Sequence, residues 1–328
     1  MVKAVDLRST DLIARQTDNP SSDTNRSRKE ARAVTKTILL VLAGIGLCMP
    51  NRTDADEVAD LTQTVAPDTP ALHRQGRFTD DHRFGWTAAG VRIRFRGGAV
   101  NGLFRLSRGK RSVLQVVVDG KPTKTLGLTR GQTVYPLAAD LGAGTHTVGV
   151  WKRPEGFIGE VAFEGFQLEE DAKVLPLKPS KRRILVIGDS ISCGYGNEAK
   201  NPGEGNTPWN ENGYMAYGPV AARELGADIM MICWSGKGMC RNRNAKNDRV
   251  NTIPKLFDRT LPRDAKTTWD HASYTPDVIV INLGTNDLAT ARGAKPALTR
   301  EDYIGAYRAF LERLNGLHPD AKIIVAIG

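Results

Sequence analysis

The sequence predicts two architectures in one chain: an all-β domain followed by a doubly wound α/β domain. Three observations predict it. Between about residues 73 and 172, apolar residues recur with period two and are punctuated by turn residues. Beyond residue 180 the pattern changes to short continuous apolar runs separated by helical stretches. The composition, 40% hydrophobic and 25% charged over 328 residues, is that of a globular chain long enough for two cores.

Residues 1–72 read as address and linker rather than fold. Arg26, Arg28, Lys29, Arg32 and Lys36 lead into "ILLVLAGIGLCM", residues 38–49. Such an apolar run fits a signal h-region and is too short to span a bilayer. We therefore expect an exported protein, secreted, periplasmic or on the cell surface, with no stable membrane span. Gly46-Leu47 before Cys48 makes a poor lipobox, and residues 50–72 form an acidic, Thr/Pro-containing linker.

In the first domain, residues 73–172, "VRIRFRGG" sets Val91, Ile93 and Phe95 against Arg92, Arg94 and Arg96, as in a half-buried strand. "VLQVVVDGKPTKTLGL" is strand, Asp-Gly turn, strand. Short strands at this spacing predict an antiparallel sandwich or jelly roll. "LPLKPSKRR", 175–183, is the connecting linker. In the second domain, 180–328, Ile184–Ile187, Ile229–Cys233, Val278–Asn282 and Ile323–Ile327 read as buried parallel strands. Tyr214–Leu225 and 301–314 read as helices, the latter opened by the capping pattern Thr299-x-x-Asp302.

Ligands of such a sheet bind beyond the carboxyl ends of its strands, and three polar blocks sit there. Gly188-Asp189-Ser190 follows the first strand, "WSGKGM" with Gly236 and Gly238 follows the second, and "GTND" with Asn286 and Asp287 the third. A serine on a tight turn after a strand is presented as a nucleophile. Its attack on an ester creates an oxyanion that needs fixed donors. The Ser190 amide, a glycine amide after the second strand and the Asn286 side chain would supply three.

The three blocks, in this order, resemble those of the SGNH hydrolases, also called GDSL-type esterases and lipases. With a β domain ahead of "GDSISCGYGNE", "WSGKGM" and "INLGTND", the chain most resembles the family-two carbohydrate esterases over roughly residues 75–328. The resemblance implies a jelly-roll domain before an SGNH, flavodoxin-like domain. It implies deacetylation of plant-type polysaccharides, with Ser190 as nucleophile and oxyanion amide, Gly236 as second amide donor (Gly238 is the alternative) and Asn286 as side-chain donor. Ester chemistry of this kind needs no metal or organic cofactor. Trp209 and Trp234, with Tyr214, are candidates for a sugar-stacking surface. The rival readings are another SGNH esterase, lipase or acyltransferase, and a catalytically dead carbohydrate-binding protein.

Asp189 and Asp287 read as turn-ordering residues, the second for the loop around Asn286, and "RNRNAKNDR", 241–249, as a solvated loop. The net charge of +10 is scattered and accompanied by no nucleic-acid motif, so an acetylated polysaccharide, not nucleic acid, is the expected partner. Cys193, Cys233 and Cys240 give neither a disulfide framework nor zinc spacing, and read as free thiols.

A serine needs a base, and the five histidines fit poorly. His73, His82 and His146 lie in or beside the β domain; His271 and His318 precede strands, at the amino-terminal end of the sheet. "LHP" around His318 imitates the family's base-bearing block, but Asn315 stands where its aspartate would be. The family's base resembles a dyad histidine on a loop after the last strands. We therefore expect a truncated family member lacking its base.

Overall fold

The computed structural model describes residues 3–4, 61–243, 249–289 and 298–327. The expected signal segment 38–49 and nearly all of the leader lie outside the described residues. Among those described, no helix is long and apolar enough to cross a membrane.

The first domain is two antiparallel sheets over one core. In one sheet the strands run Lys173–Leu175, Gly90–Arg96, Thr145–Lys152, Ser112–Val118, Lys121–Leu128, with His73–Gln75 also paired to Gly90–Arg96. In the other they run Gln63–Val65, Glu160–Leu168, Val100–Arg108, Val134–Ala138, with Arg83–Phe84 also on Glu160–Leu168. The alternation is as read: Val91, Ile93 and Phe95 are wholly buried in the core with Phe104, Phe163 and Phe166, while Arg96 is exposed. Full burial of one such side chain stabilises by about 1.5–3 kcal/mol. Asp119 and Gly120 close the hairpin with φ of 48° and 80°, the left-handed pair that a two-residue turn between twisted strands requires. The β fold is longer than residues 73–172. Gln63–Val65 pairs with Phe166–Leu168, and Leu61 and Val65 are buried. Too short and too polar for period two, that strand was hidden in what reads as linker.

The second domain carries four parallel strands in the order Asp228–Cys233, Arg183–Gly188, Val278–Asn282, Lys322–Ala326, with Lys3–Ala4 antiparallel at the outer edge. Each face of the sheet meets a different helix. Leu185, Ile187, Ile279 and Ile281 pack with Tyr307, Phe310 and Leu314 of the helix Arg300–Leu317. Ile184, Val186, Ile229 and Met231 pack with Ala222 of the helix Tyr217–Glu224. Truncating a fully packed ring such as Phe310 would cost about 3–5 kcal/mol.

Both helices differ from expectation at their ends. Thr299 caps the longer one by accepting from the Asp302 amide at 3.0 Å, and the helix runs on to Leu317. It stops there because Pro319 disfavours helical geometry at His318. The stretch from Tyr214 is divided into a 3-10 turn, Gly213–Met215, and the helix from Tyr217, with Ala216 extended between them. Pro219 lacks an amide and its ring would clash with the carbonyl four residues back, so it fits only the first turn of a new helix.

The β domain is joined tightly to its neighbour. Trp86 belongs to the core of the α/β domain. Arg77 is buried and donates to the carbonyls of Phe257 at 2.5 Å and Arg259 at 2.8 Å. His73 and Arg92 both bind Asp228, at 2.9 and 3.3 Å.

Candidate active site

Strand register aligns the carboxyl edge. Gly188 stands level with Cys233 on one side and Asn282 on the other, and Asn282 with Ala326. The three polar blocks leave the sheet side by side. Trp234 ties the second to the first by donating its amide to the Gly188 carbonyl at 3.2 Å.

Ser190 opens a one-turn helix, Ser190–Cys193, capped by Asp189. Asp189 Oδ1 accepts from the Ile191 amide at 3.1 Å, as its turn-ordering reading requires. Gly188 is fixed by crowding, since a Cβ there would overlap the Ser192 hydroxyl. Ser190 is part-exposed, and among the described residues nothing hydrogen-bonds its hydroxyl. Its amide heads the turn, where no earlier carbonyl of the same turn is available to it. Burial pushes the Asp189 carboxyl up to about 6, with the Ile191 amide opposing and the charge of Asp287 assisting.

The second block separates its two glycines. A Cβ on Gly238 would overlap the Arg241 carbonyl and the Asp287 carboxylate, and the Gly238 amide donates to Asn242 Oδ1 at 3.3 Å. Gly238 is therefore a packing glycine. Gly236, at φ 76°, faces open space where a Cβ would be. Asp287 orders this loop rather than the loop around Asn286: its carboxylate accepts from the amides of Met239, Cys240 and Arg241 at 2.8, 2.8 and 2.9 Å. Arg241 and Asn242 are buried, so the start of "RNRNAKNDR" is packed, not solvated; 244–248 lie outside the described residues.

Asn286 is buried between the blocks. Its side-chain amide donates to Asp189 Oδ2 at 3.1 Å and to the Lys237 carbonyl at 2.9 Å. An amide has two N–H donors, so both are engaged here. An acyl oxygen would have to displace one of these acceptors.

The aromatic candidates separate. Trp209 is 51% exposed and lies over Gly127 of the β domain, where a Cβ would come within 2.7 Å of its ring. Trp234 is half-buried, its ring 6.1 Å from Phe157 and beneath the Lys237 ammonium. Tyr214 is a packing residue, buried against Trp151 with ring centroids 5.0 Å apart. Cys193 and Cys233 are free and buried, and Cys240 is free and half-buried.

Three of the five histidines bind carboxylates. His73 binds Asp228, His146 binds Asp119 at 2.8 Å and His271 binds Asp258 at 3.0 Å. His318 is buried, its ring 6.4 Å from that of His271. His82 holds a turn at φ 61°, its carbonyl accepting from Phe163.

What sequence reasoning missed comes from the β domain. Lys152, the last residue of the strand Thr145–Lys152, and Glu155, in the turn after it, are buried with Glu211 next to the second block. The only signal was a Lys-Arg-Pro-Glu run following an apolar strand. Glu155, Cys193 and Glu211 bring donor atoms within 4.8 Å of one another, a spacing that could hold a metal ion. Lys152 lies beside both carboxyl groups, and burial pushes its amine down to about 8 while the charges of Glu211 and Glu155 oppose the shift.

Known proteins show the same pair of domains. Residues 75–177 match the family described as "Carbohydrate esterase 2 N-terminal", and 186–328 the "GDSL-like Lipase/Acylhydrolase family". "Cellulase/esterase CelE" of Acetivibrio thermocellus is 34% identical over 277 residues, 82% of this chain but only 32% of that protein, so the chain spans about a third of that relative's length. An "Acetylxylan esterase / glucomannan deacetylase" of Cellvibrio japonicus is 30% identical over 301 residues, 89% of this chain and 80% of that one. A solved family-two carbohydrate esterase from Clostridium thermocellum, in complex with cellohexaose, superposes with a TM-score of 0.71 at 33% identity, covering 78% of this chain and 77% of that one. Fold, block order and two-domain match agree: this chain belongs to the family-two carbohydrate esterases.

Proposed function

We propose that the chain is a serine esterase that removes acetyl groups from polysaccharides or other sugar esters. What supports this reading is the carboxyl edge itself, where the blocks that carry Ser190, Gly236 and Asn286 follow neighbouring strands and nothing among the described residues hydrogen-bonds the Ser190 hydroxyl. Ser190 Oγ attacks the acetyl carbon. The resulting oxyanion is received by the amides of Ser190 and Gly236, and by Asn286 once the oxygen takes the place of the Lys237 carbonyl. The Ser190 hydroxyl gives its proton to solvent or a diffusible base in the attack. Collapse then expels the sugar oxygen as an alkoxide, which takes up a proton to become the sugar hydroxyl, and leaves acetyl-Ser190 for water to cleave to acetate and free Ser190. Fixed donors of this kind act where charge develops, in a site that excludes much of the solvent.

The general base is none of the five histidines. His73, His146 and His271 are paired to carboxylates, His318 lies with His271 at the opposite edge of the sheet, and His82 sits in a turn of the β domain. A base must reach the hydroxyl within about 3.2 Å, or through one water.

The substrate class is supported by the relatives named for acetylxylan and glucomannan, and by the complex with cellohexaose. Exposed Trp209 and half-buried Trp234 offer stacking surfaces for a sugar ring. The same reading makes the protein exported, with segment 38–49 as its signal. It makes the first domain a jelly roll and the second, from about residue 180, doubly wound.

The test is hydrolysis of p-nitrophenyl acetate, and of acetylated xylan, by the full chain with imidazole added as a diffusible base. A rate above that of Ser190→Ala is expected. Equal rates would sink the reading.

A further inference from the structure

The β domain reaches the oxyanion loop through one carboxylate. Glu155 is wholly buried, and its Oε2 accepts from the Ser235 amide at 2.6 Å. Ser235 immediately precedes Gly236. The loop is held at three further points, by the Trp234 amide on the Gly188 carbonyl at 3.2 Å, by the Trp234 carbonyl accepting from the Lys237 amide at 3.2 Å and by the Gly236 carbonyl accepting from the Arg243 amide at 2.9 Å. Those bonds lie within the α/β domain. Among the described residues Glu155 makes the one side-chain hydrogen bond from the β domain to this loop, on the peptide immediately before the one that carries the Gly236 N–H.

Glu155 is itself braced. Its backbone amide donates to Glu211 Oε1 at 2.9 Å, and Glu211 Oε2 accepts from Asn206 at 3.0 Å. The buried Lys152 ammonium donates to the carbonyls of Pro154 at 2.5 Å and Glu155 at 2.8 Å. The acceptor is thus mounted on a rigid turn, not on a mobile surface side chain. Its second oxygen, Oε1, is buried without a partner. Burial pushes this carboxyl up to about 8, with the charge of Glu211 assisting and the hydrogen bond from Ser235 opposing.

We propose that Glu155 is a positioning residue for ester hydrolysis, aiming the Gly236 amide at the oxyanion by holding Ser235, so that the β domain is part of the catalytic apparatus. This rests on the esterase reading of Ser190 and Gly236. Oxyanion donors act only over a short range and in a fixed direction. A loop shift of about 1 Å can cost up to about a hundredfold in rate.

Two conservative variants separate aiming from charge balance. Glu155→Asp keeps the titratable carboxyl beside Lys152 but withdraws the oxygen from Ser235 by about one bond length, 1.5 Å. Glu155→Gln keeps the reach and loses the titratable group. Both are compared with the parent and with Ser190→Ala in kcat and KM for p-nitrophenyl acetate with imidazole present, and in hydrogen exchange at the Ser235 amide. The expected result is a fall of about ten- to hundredfold in kcat for Glu155→Asp, with KM nearly unchanged and faster exchange at Ser235. Glu155→Gln keeps most of the rate and the protection. Parent-like kcat in Glu155→Asp overturns the proposal. So does the reverse order, Glu155→Asp active and Glu155→Gln dead, which is the result of a purely structural ion pair. A parent no faster than Ser190→Ala would instead overturn the esterase reading.

Discussion

The two ends of the parallel sheet use similar polar residues to opposite ends. At the amino edge, charges are paired off. Asp228 is held by His73 and Arg92, Asp258 by His271 and Arg313, and Asp277 accepts from the Arg183 amide at 2.7 Å. At the carboxyl edge, carboxylates accept mainly from backbone amides and the Asn286 amide, and the serine between them is open. The difference shows in their titration. Burial opposes ionisation of Asp228 and Asp258, but the hydrogen bonds from His73 to the first and from Arg313 and His271 to the second, with the charges of Arg92 and Arg313, outweigh it and hold both below the usual carboxylate range. Burial wins at Asp189, raised to about 6. One edge holds its carboxylates mainly with basic side chains; the other holds them with backbone amides and the Asn286 amide.

The largest break in this contrast comes from Ser190→Ala. It should remove the whole protein-dependent part of p-nitrophenyl acetate hydrolysis and leave only the reaction of free imidazole, with an unchanged melting temperature. Asn286→Ala should follow, losing about 10²–10³ in kcat as an oxyanion donor. A change of less than about tenfold would reduce Asn286 to a tie between Asp189 and Lys237.

Titration sharpens the contrast. Asp189 must be ionised to accept on both oxygens, so the rate should climb as pH rises through about 6, and Asp189→Asn should lose that limb. In stability the signs are opposite. The raised Asp189 contributes stability that is present below the ordinary carboxylate pKa and lost as pH rises through about 6. The lowered Asp228 and Asp258 contribute stability present above that value and lost on acidification. Burial also depresses His271 and His318, so the unfolded chain takes their protons first, and stability should fall as pH drops below about 6.5. Melting curves from pH 4 to 8 read both trends. Asp258→Asn is the smallest effect expected, about 0–1 kcal/mol, because that pair is 43% and 39% exposed and screened by solvent.

Much of this was legible before any coordinates. Period two found the strand at Val91–Phe95, Asp-Gly found the hairpin, and the apolar runs found the sheet whose ends carry Ser190, Gly236 and Asn286. Those signals are local, and local chemistry fixes them. Gly236 and Gly238 could not be told apart, because what separates them is Asp287, some 50 residues on. Gln63–Val65 was missed because a three-residue strand has no period to show, and Tyr214 because its partner Trp151 is in the other domain. Glu155 was invisible for the same reason: its target, Ser235, is distant in sequence.

The account's central claim is that the carboxyl edge holds nucleophile and oxyanion donors while none of the five histidines is its base. The most direct test is the Ser190-dependent rate of p-nitrophenyl acetate hydrolysis as imidazole is titrated in, with Ser190→Ala subtracted. The account predicts a rate that is small without imidazole, rises with its concentration, and is unchanged within about twofold by His271→Ala or His318→Ala. A rate already full without imidazole, and abolished by replacing any one of the five histidines, would contradict it.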